Sequence, residues 1–308
     1  MSGWRAGLVA LALGGVILAI GWVIGRDAPT PGPGTSVPVA EADVTLACTQ
    51  TFSLVCGELA SRFGLASTSY TLGSEIASDT VVIGFAGDLP AEAISFARSP
   101  IAIAIWAEKA PRLQQACGLV DPACLVGEAG TSWEELGGSP DWGTLRLGLA
   151  DPETGIADLE AWKLIADQQP PPGFRQFVPL TSQDGGSLLR DLVLFSSRAD
   201  AVVSSEVAIA AQLANARARA GRLEVYYPEP TPYLPVAALG EGRAANSFVE
   251  SLSGPEIQAL LGSLGLRPLT GEPTDLLEDL GEPGTETAGA SQAERPALVA
   301  SWDTLIGA

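Results

Sequence analysis

Three short segments place hydroxyl, glycine and acidic residues where a predicted strand gives way to a predicted helix. They are residues 49–51, 150–155 and 204–206. Hydroxyls and free backbone N–H groups at the start of a helix can bind an anion without a countercharge. The same residue types also cap ordinary helices, so each segment alone is weak evidence for a site. Together they are the first candidates for a binding site.

Acid–base and nucleophilic catalysis lack their usual residues in this chain. It has no histidine and only two lysines, Lys109 and Lys163. A Ser-His-Asp triad, a Cys-His pair and an HExxH zinc site all need histidine. A Ser-Lys nucleophile would need one of the two lysines, and both lie in helix-like segments that we expect to be exposed. We therefore predict that the protein is not an enzyme and uses no cofactor or metal.

The charge balance excludes nucleic acid as a partner. Lys and Arg number 17 against 36 Asp and Glu, which gives a net charge of −19 and a sequence pI near 4.2. Binding to a phosphate backbone requires a cationic face, which this composition does not supply. Seven of the acidic residues lie in residues 270–294, which hold no basic residue. That stretch is also rich in Gly, Pro and Thr and is predicted to be a solvated linker.

The N-terminus contains 20 uncharged, mostly apolar residues, 6–25, between Arg5 and Arg26. As a helix this run would measure about 30 Å, the thickness of the hydrocarbon layer of a membrane. The apolar stretch of a cleaved signal peptide is shorter, about 7–15 residues. We predict an uncleaved single-pass anchor with the main domain outside the cytoplasm. A cleaved signal peptide is the alternative.

The four cysteines indicate disulfide bonds in an oxidising exterior. Cys117 and Cys124 flank a predicted turn and could close a small loop. Cys48 and Cys56 form the other expected pair, although other pairings remain open. The C-x7-C and C-x6-C spacings do not suit a zinc site.

Short β-rich runs alternate with amphipathic helical runs from residue 44 onward, which predicts an α/β fold with mainly parallel sheets. In such sheets a ligand lies beyond the carboxyl ends of the strands. The predicted strands are residues 44–48, 80–86, 101–106, 145–150, 175–178, 199–203, 223–227 and 234–239. The predicted helices are residues 51–63, 156–168, 186–196, 207–220, 243–252 and 255–264.

Several of these segments resemble the bacterial extracellular solute-binding proteins of the type 2 periplasmic class, which includes molybdate- and phosphate-type receptors. VTLACTQTFSLVCGELASRFG resembles the opening strand, polar turn and first helix of that class. TSWEELGGSPDWGTLRLGLADPETGIADLEAW and RADAVVSSEVAIAA resemble two further strand–turn–helix passages. NSFVESLSGPEIQALLGSLGLRP resembles the closing helices and is the most specific match. The resemblance spans about 225 residues and implies a two-lobed α/β fold, here preceded by one transmembrane helix.

The resemblance also implies which residues bind the solute between the lobes. Residues 64–98 are shorter than the corresponding passage of the family, whose binding turn has its nearest equivalent at Ser74. Adjacent tyrosines bind ferric ion in one branch of the class, but Tyr226 and Tyr227 are predicted to be ordinary strand residues. The implied ligand-binding residues are Thr49, Gln50, Thr51 and Ser74 in the first lobe, and Thr154, Gly155, Ser187, Ser204 and Ser205 in the second.

We therefore predict a membrane-tethered protein that captures a small solute, for example an oxyanion such as molybdate, for an ABC-type permease. The alternative is an anchored scaffold or sensor that keeps the fold without a transport ligand. The predicted organisation is an anchor (1–26), a Pro/Gly-rich tether (27–42), a solute-binding domain (43–269), an acidic flexible linker (270–295) and a short C-terminal helix (296–308). Within the domain, residues 43–99 and 233–269 form the first lobe and residues 100–232 the second.

Overall fold

The computed structural model describes residues 44–195, 197–219, 222–269 and 274–307. The predicted anchor and tether lie outside these residues. Within the described ranges, no helix is both long and apolar enough to cross a membrane.

Strands and helices alternate through most of this part of the chain, as the sequence predicts. The strands are β1 (Thr45–Cys48), β2 (Ala66–Ser69), β3 (Thr80–Phe85), β4 (Ile94–Trp106), β5 (Leu147–Ala150), β6 (Leu180–Ser182), β7 (Ala201–Ser205), β8 (Leu223–Tyr226), β9 (Thr231–Glu241), β10 (Arg267–Pro268) and β11 (Glu286–Ala288). The helices are α1 (Ser53–Phe63), α2 (Ala110–Cys117), α3 (Pro122–Glu128), α4 (Ile156–Ala166), α5 (Gly185–Leu194), α6 (Glu206–Arg219), α7 (Arg243–Ser251), α8 (Pro255–Ser263), α9 (Asp275–Leu280) and α10 (Arg295–Leu305).

The long strand β4 belongs to both lobes. Its first half pairs with β9 in a sheet of order β2-β1-β3-β9-β4, and its second half pairs with β7 in a sheet of order β4-β7-β5-β6. Both sheets are mixed, because β1 and β5 have parallel neighbours whereas β4 has antiparallel ones. The structure thus confirms a two-lobed α/β fold, although its sheets are less parallel than expected.

The second half of β4 is covered on both faces. Ile101, Ile103 and Ile105 are fully buried and join the main hydrophobic core, which spans both lobes. Ala102 and Ala104 alternate with them and face a second core built around α5 and α6. Alternating side chains of a strand point to opposite faces of the sheet. Burial on both faces makes β4 a rigid base for the turns that surround it.

Two predicted segments differ in the structure. The strand predicted at residues 175–178 is a 3-10 helix, Phe174–Phe177, and the strand follows it at β6. Gly173 adopts φ 84°, and the buried Phe174 begins the turn, so the chain coils before it extends. Residues 274–295, expected as part of a flexible linker, contain α9 and β11. Leu277 and Leu280 bury the apolar side of α9, a pattern that the high acidic content of the segment obscured.

The structure confirms both disulfide pairs. Cys48 is joined to Cys56 and Cys117 to Cys124, with Cα atoms 6.2 and 5.7 Å apart, the usual separation for bridged cysteines. The first bridge connects the end of β1 to α1. It therefore closes the loop that contains the first predicted binding turn.

Candidate functional site

Three strand ends of the second lobe meet at one edge of its sheet. β5 runs parallel to β6 and β7, so the turns that follow these strands lie together. These turns lead into α4, α5 and α6. Thr154 and Gly155 precede α4, Ser187 lies in the first turn of α5, and Ser204 lies near the end of β7. The structure thus places four of the predicted residues at one edge of the sheet.

Asp158, which the sequence analysis did not single out, connects the starts of α4 and α5. The Thr154 hydroxyl lies 3.1 Å from Asp158 Oδ2. A Cβ atom on Gly185 would lie 3.1 Å from Asp158 Oδ1 and would overlap the Ser204 hydroxyl. Glycine is therefore required at the start of α5 for this close approach.

The environment of Asp158 favours its uncharged form. Burial raises the pKa of this carboxyl well above 3.8, and the nearby carboxylates of Asp184 and Asp88 raise it further. The Thr154 hydroxyl and the Gly185 backbone N–H lower the pKa, but they do not offset the effect of burial.

The first lobe meets this edge through the 3-10 turn Ala86–Asp88 that follows β3. Asp88 Oδ1 accepts a hydrogen bond of 2.8 Å from the backbone N–H of Ile156, the first residue of α4. Gly87 lies against the Ile156 side chain, where an added Cβ would be only 2.9 Å from Cγ1. A carboxylate of the first lobe thus occupies the helix start at which the sequence predicts an anion site.

Asp88 also titrates unusually. Burial raises its pKa from 3.8 to about 6, although the hydrogen bond from Ile156 and the charge of Arg295 lower it. Arg295 Nη2 lies 3.7 Å from Asp88 Oδ1. Arg295 Nη1 donates to the carbonyl oxygens of Pro152 and Glu153, at 3.1 and 3.2 Å. Arg295 therefore bridges the first-lobe carboxylate and the turn before α4.

The residues predicted to bind the solute from the first lobe do not lie together in the structure. Thr51 approaches the second lobe, because a Cβ on Gly186 would lie 3.2 Å from Thr51 Cα. Thr49 precedes a 3-10 helix without capping it through its side chain, and Gln50 is exposed. Ser74 lies in an exposed turn whose described hydrogen bonds join it to Thr71 and Tyr70 of the same loop. Thr51 is thus the predicted first-lobe residue that the structure brings to the second lobe.

The second-lobe hydroxyls are not equivalent. Asp184 is the N-cap of α5, and its two carboxylate oxygens accept hydrogen bonds of 2.9 Å from the Ser187 N–H and the Ser187 hydroxyl. Ser204 and Ser205 are consecutive in β7 and therefore point to opposite faces of the sheet. Ser204 faces Gly185. Its hydroxyl is buried and has no hydrogen-bond partner within the part of the chain that the structure describes.

The two adjacent tyrosines have separate partners. Tyr226 donates to Glu224 at 2.9 Å, and Tyr227 donates to Glu206. Over the described ranges, no group of three or more Cys, Asp or Glu residues is arranged to hold a metal ion.

We expect Asp88→Asn to be more stable than the wild type at pH 7.5, by up to about 3 kcal/mol, the cost of shifting the Asp88 pKa from 3.8 to about 6. The folded state binds this proton more tightly than the unfolded state, so wild-type stability falls as the pH rises through this range. The extra stability of Asp88→Asn over the wild type should therefore vanish towards pH 4. Urea unfolding at both pH values measures it. Asp141→Asn, at an exposed site, is the control, and an equal gain at both pH values would contradict the prediction.

Comparison with known proteins gives a family match. Residues 69–267 match the model of a family described as bacterial extracellular solute-binding proteins. None of the curated protein sequences matches the chain significantly.

Solved structures of the same architecture cover most of the chain. The periplasmic binding protein AfuA from Actinobacillus pleuropneumoniae, with fructose-6-phosphate bound, superposes with a TM-score of 0.55 at 11% identity, over 87% of this chain and 99% of that one. The sulfate-binding protein SubI from Mycobacterium tuberculosis gives 0.53 at 13% identity, over 85% and 96%. Iron-bound HitA from Pseudomonas aeruginosa gives 0.53 at 12% identity, over 84% and 98%. At these identities the similarity establishes the fold alone.

Proposed function

The chain belongs to the bacterial extracellular solute-binding proteins, and we propose that it captures a small solute between its two lobes, at the cleft formed by Thr51, Asp88, Thr154, Asp158 and Ser204. It is a solute-binding protein for transport and not an enzyme. We further propose that residues 6–25 tether it to the membrane, beside an ABC-type permease that receives the solute.

The observation that carries this proposal is the buried Ser204 hydroxyl. A buried hydroxyl without a hydrogen bond costs about 1–3 kcal/mol, which a bound solute would recover. This hydroxyl lies where the starts of α4 and α5 meet, beside the Asp158 carboxyl. The opposite wall comes from the first lobe, through Asp88 and the Thr51 backbone. The polar groups thus converge at a junction that opens when the lobes separate.

A thermal-shift panel on the full-length chain in detergent tests the proposal. The panel holds molybdate, tungstate, sulfate, phosphate, sugars, amino acids and amines. A solute at 100 times its dissociation constant should stabilise the protein by about 2.7 kcal/mol. Ser204→Ala should reduce that shift, whereas Ser263→Ala, which changes an exposed helix hydroxyl, should not. If no panel member shifts the transition, or if Ser204→Ala leaves the shift intact, the proposed site is wrong.

A second candidate is an anchored scaffold or sensor that keeps the fold without a transport ligand. The contacts of Asp88 favour it. This carboxylate already binds the start of α4, and Arg295 already partners the carboxylate, so the lobes meet without a solute. An unresponsive transition across the whole panel is the result that this candidate predicts.

A further inference from the structure

Carboxylates of the protein itself already occupy the helix starts at this cleft. Asp88 accepts from the Ile156 N–H at the start of α4, and Asp184 accepts from the Ser187 N–H in the first turn of α5. Asp158 interacts with the Gly185 backbone N–H. These N–H groups are the donors that would have to hold an oxyanion, since helix N-termini are its usual neutral site. An oxyanion would therefore have to displace the carboxylates.

The charges around the cleft also disfavour an anion. The carboxyl groups of Asp88 and Asp184 lie close enough to Asp158 to raise its pKa. Arg295 lies beside Asp88, whereas the charged groups that act on Asp158 are the other two carboxylates. Like charges repel one another more strongly inside a protein than in water, because the effective dielectric constant is lower. A dianion would add to this repulsion, and a cation would relieve it.

The unpartnered hydroxyl independently indicates a ligand within hydrogen-bonding distance of Ser204, and the carboxyl oxygens beside it favour a ligand that donates. Ser204 is 2% exposed, and its Oγ faces the same Gly185 position as Asp158 Oδ1. A Cβ atom added to Gly155 would lie 3.2 Å from Asp88 Oδ2 and 3.6 Å from Asp158 Oδ2, so both oxygens face the Gly155 backbone. A hydroxyl oxygen and carboxylate oxygens are all acceptors, and an ammonium group offers several N–H donors.

We propose that the solute of this cleft carries a small organic ammonium group, held by Asp88 and Asp158 and by the Ser204 hydroxyl. The inference rests on the proposed function and names the chemical class of its ligand. An organic cation suits the site better than a metal ion, because the carboxyl groups of the described residues are not arranged as a metal-binding set. The ammonium group would enter when the lobes separate and would take the place of the Ile156 N–H as the partner of Asp88.

Binding should depend on pH in a defined direction. The pKa of Asp88 is raised to about 6 by burial, and that of Asp158 is raised by burial and by Asp184 and Asp88. The other groups that face these two carboxyls lower their pKa values. They are the Thr154 hydroxyl, the Gly185 and Ile156 N–H groups and Arg295. A cation binds the ionised carboxylates, so binding should release protons and should strengthen between pH 5.5 and pH 8, values bracketing the Asp88 pKa.

Calorimetric titration of the full-length chain in detergent tests the inference. The probes are 1,4-diaminobutane, ethanolamine and methylammonium, with molybdate and sulfate as the anionic arm. We expect saturable binding of at least one ammonium probe and at least tenfold weaker binding to Asp158→Asn. Asp88→Asn should also weaken it and serves as the test variant if Asp158→Asn does not fold. Asp141→Asn, at an exposed site, should bind like the wild type.

The outcomes separate the inference from the proposed function. Saturable binding of an anion, with no ammonium binding, overturns the inference and leaves a solute-binding cleft. Ammonium binding that both carboxyl variants leave unchanged also overturns it, because the cation would then lie elsewhere. If no probe here and no solute of the thermal-shift panel binds, the proposed function fails, and the inference fails with it.

Discussion

Arg267→Met should lower the free energy of unfolding by about 3–5 kcal/mol, because it leaves the buried Glu206 carboxylate without its cationic partner. Arg267 is 8% exposed and Glu206 is fully buried. The guanidinium Nη2 lies 2.8 Å from Glu206 Oε2, and Nε lies 3.1 Å from both carboxylate oxygens. Nη2 also donates to the carbonyl oxygen of Gly281 at 2.9 Å. The Arg267 side chain thus connects β10 of the first lobe with the start of α6 in the second lobe and with Gly281, which follows α9.

An exposed ion pair supplies the matched control. Arg98 and Glu286 are 2.7 Å apart, but their side chains are 37% and 59% exposed. Exposed pairs contribute about 0–1 kcal/mol, so Arg98→Met should have a correspondingly small effect. Urea unfolding of the two variants and the wild type measures the difference. If Arg267→Met lowers the free energy of unfolding no more than Arg98→Met does, the buried Arg267–Glu206 pair does not hold these segments together.

Trp162→Ala should lower the free energy of unfolding by about 3–5 kcal/mol and should detach the C-terminal helix α10. Trp162 is 1% exposed, on α4. Its ring packs edge to face on Trp302 of α10, with centroids 5.2 Å apart, and its Nε1 lies 3.0 Å from Leu298 O and 2.9 Å from Ser301 Oγ. The neighbouring Lys163 pairs with Glu294 at 2.8 Å. Removing the indole would leave a cavity and would take away the Nε1 donor, although Ser301 Oγ would still donate to Leu298 O at 2.7 Å.

Trp162→Phe is the control for this prediction. It keeps an aromatic ring against Trp302 and removes the Nε1 donor, so its cost should be nearer the roughly 1 kcal/mol of a hydrogen bond. Unfolding measurements should rank the two variants in this order. Limited proteolysis should release the residues after 286 faster from Trp162→Ala than from the wild type. Unchanged protection of that segment would show that Trp162 does not hold it in place.

The sequence predicts the secondary structure and the disulfide pairs of this protein better than the contacts between residues of its cleft. Alternating strands and helices, the disulfide pairs and the turn before α4 follow from local patterns, and local patterns determine local structure. The meeting of Asp88 with Ile156 depends on packing between residues 68 positions apart. One feature of the sequence could have indicated Asp158, because this carboxyl lies among apolar residues at the start of a helix, IADL.

Two further differences have equally specific causes. Ser204 and Ser205 are equivalent in a list of polar residues, but the two-residue period of a strand sends them to opposite faces. Residues 274–295 have the composition of a linker, yet they fold because residues far away in the sequence bind them. Glu160 accepts from the Ala290 N–H, and Gln292 Nε2 donates to the Gly87 carbonyl at 2.6 Å.

Hydrogen–deuterium exchange of the full-length chain, with and without each solute of the panel, tests the central claim most directly. If a solute binds between the lobes, the peptides that contain Gly155 and Gly185, at the starts of α4 and α5, should exchange more slowly and saturably with concentration. Peptides of α8, outside the cleft, should not change. Saturable protection confined to segments outside the cleft, or no protection by any solute, would contradict a solute-binding cleft at this position.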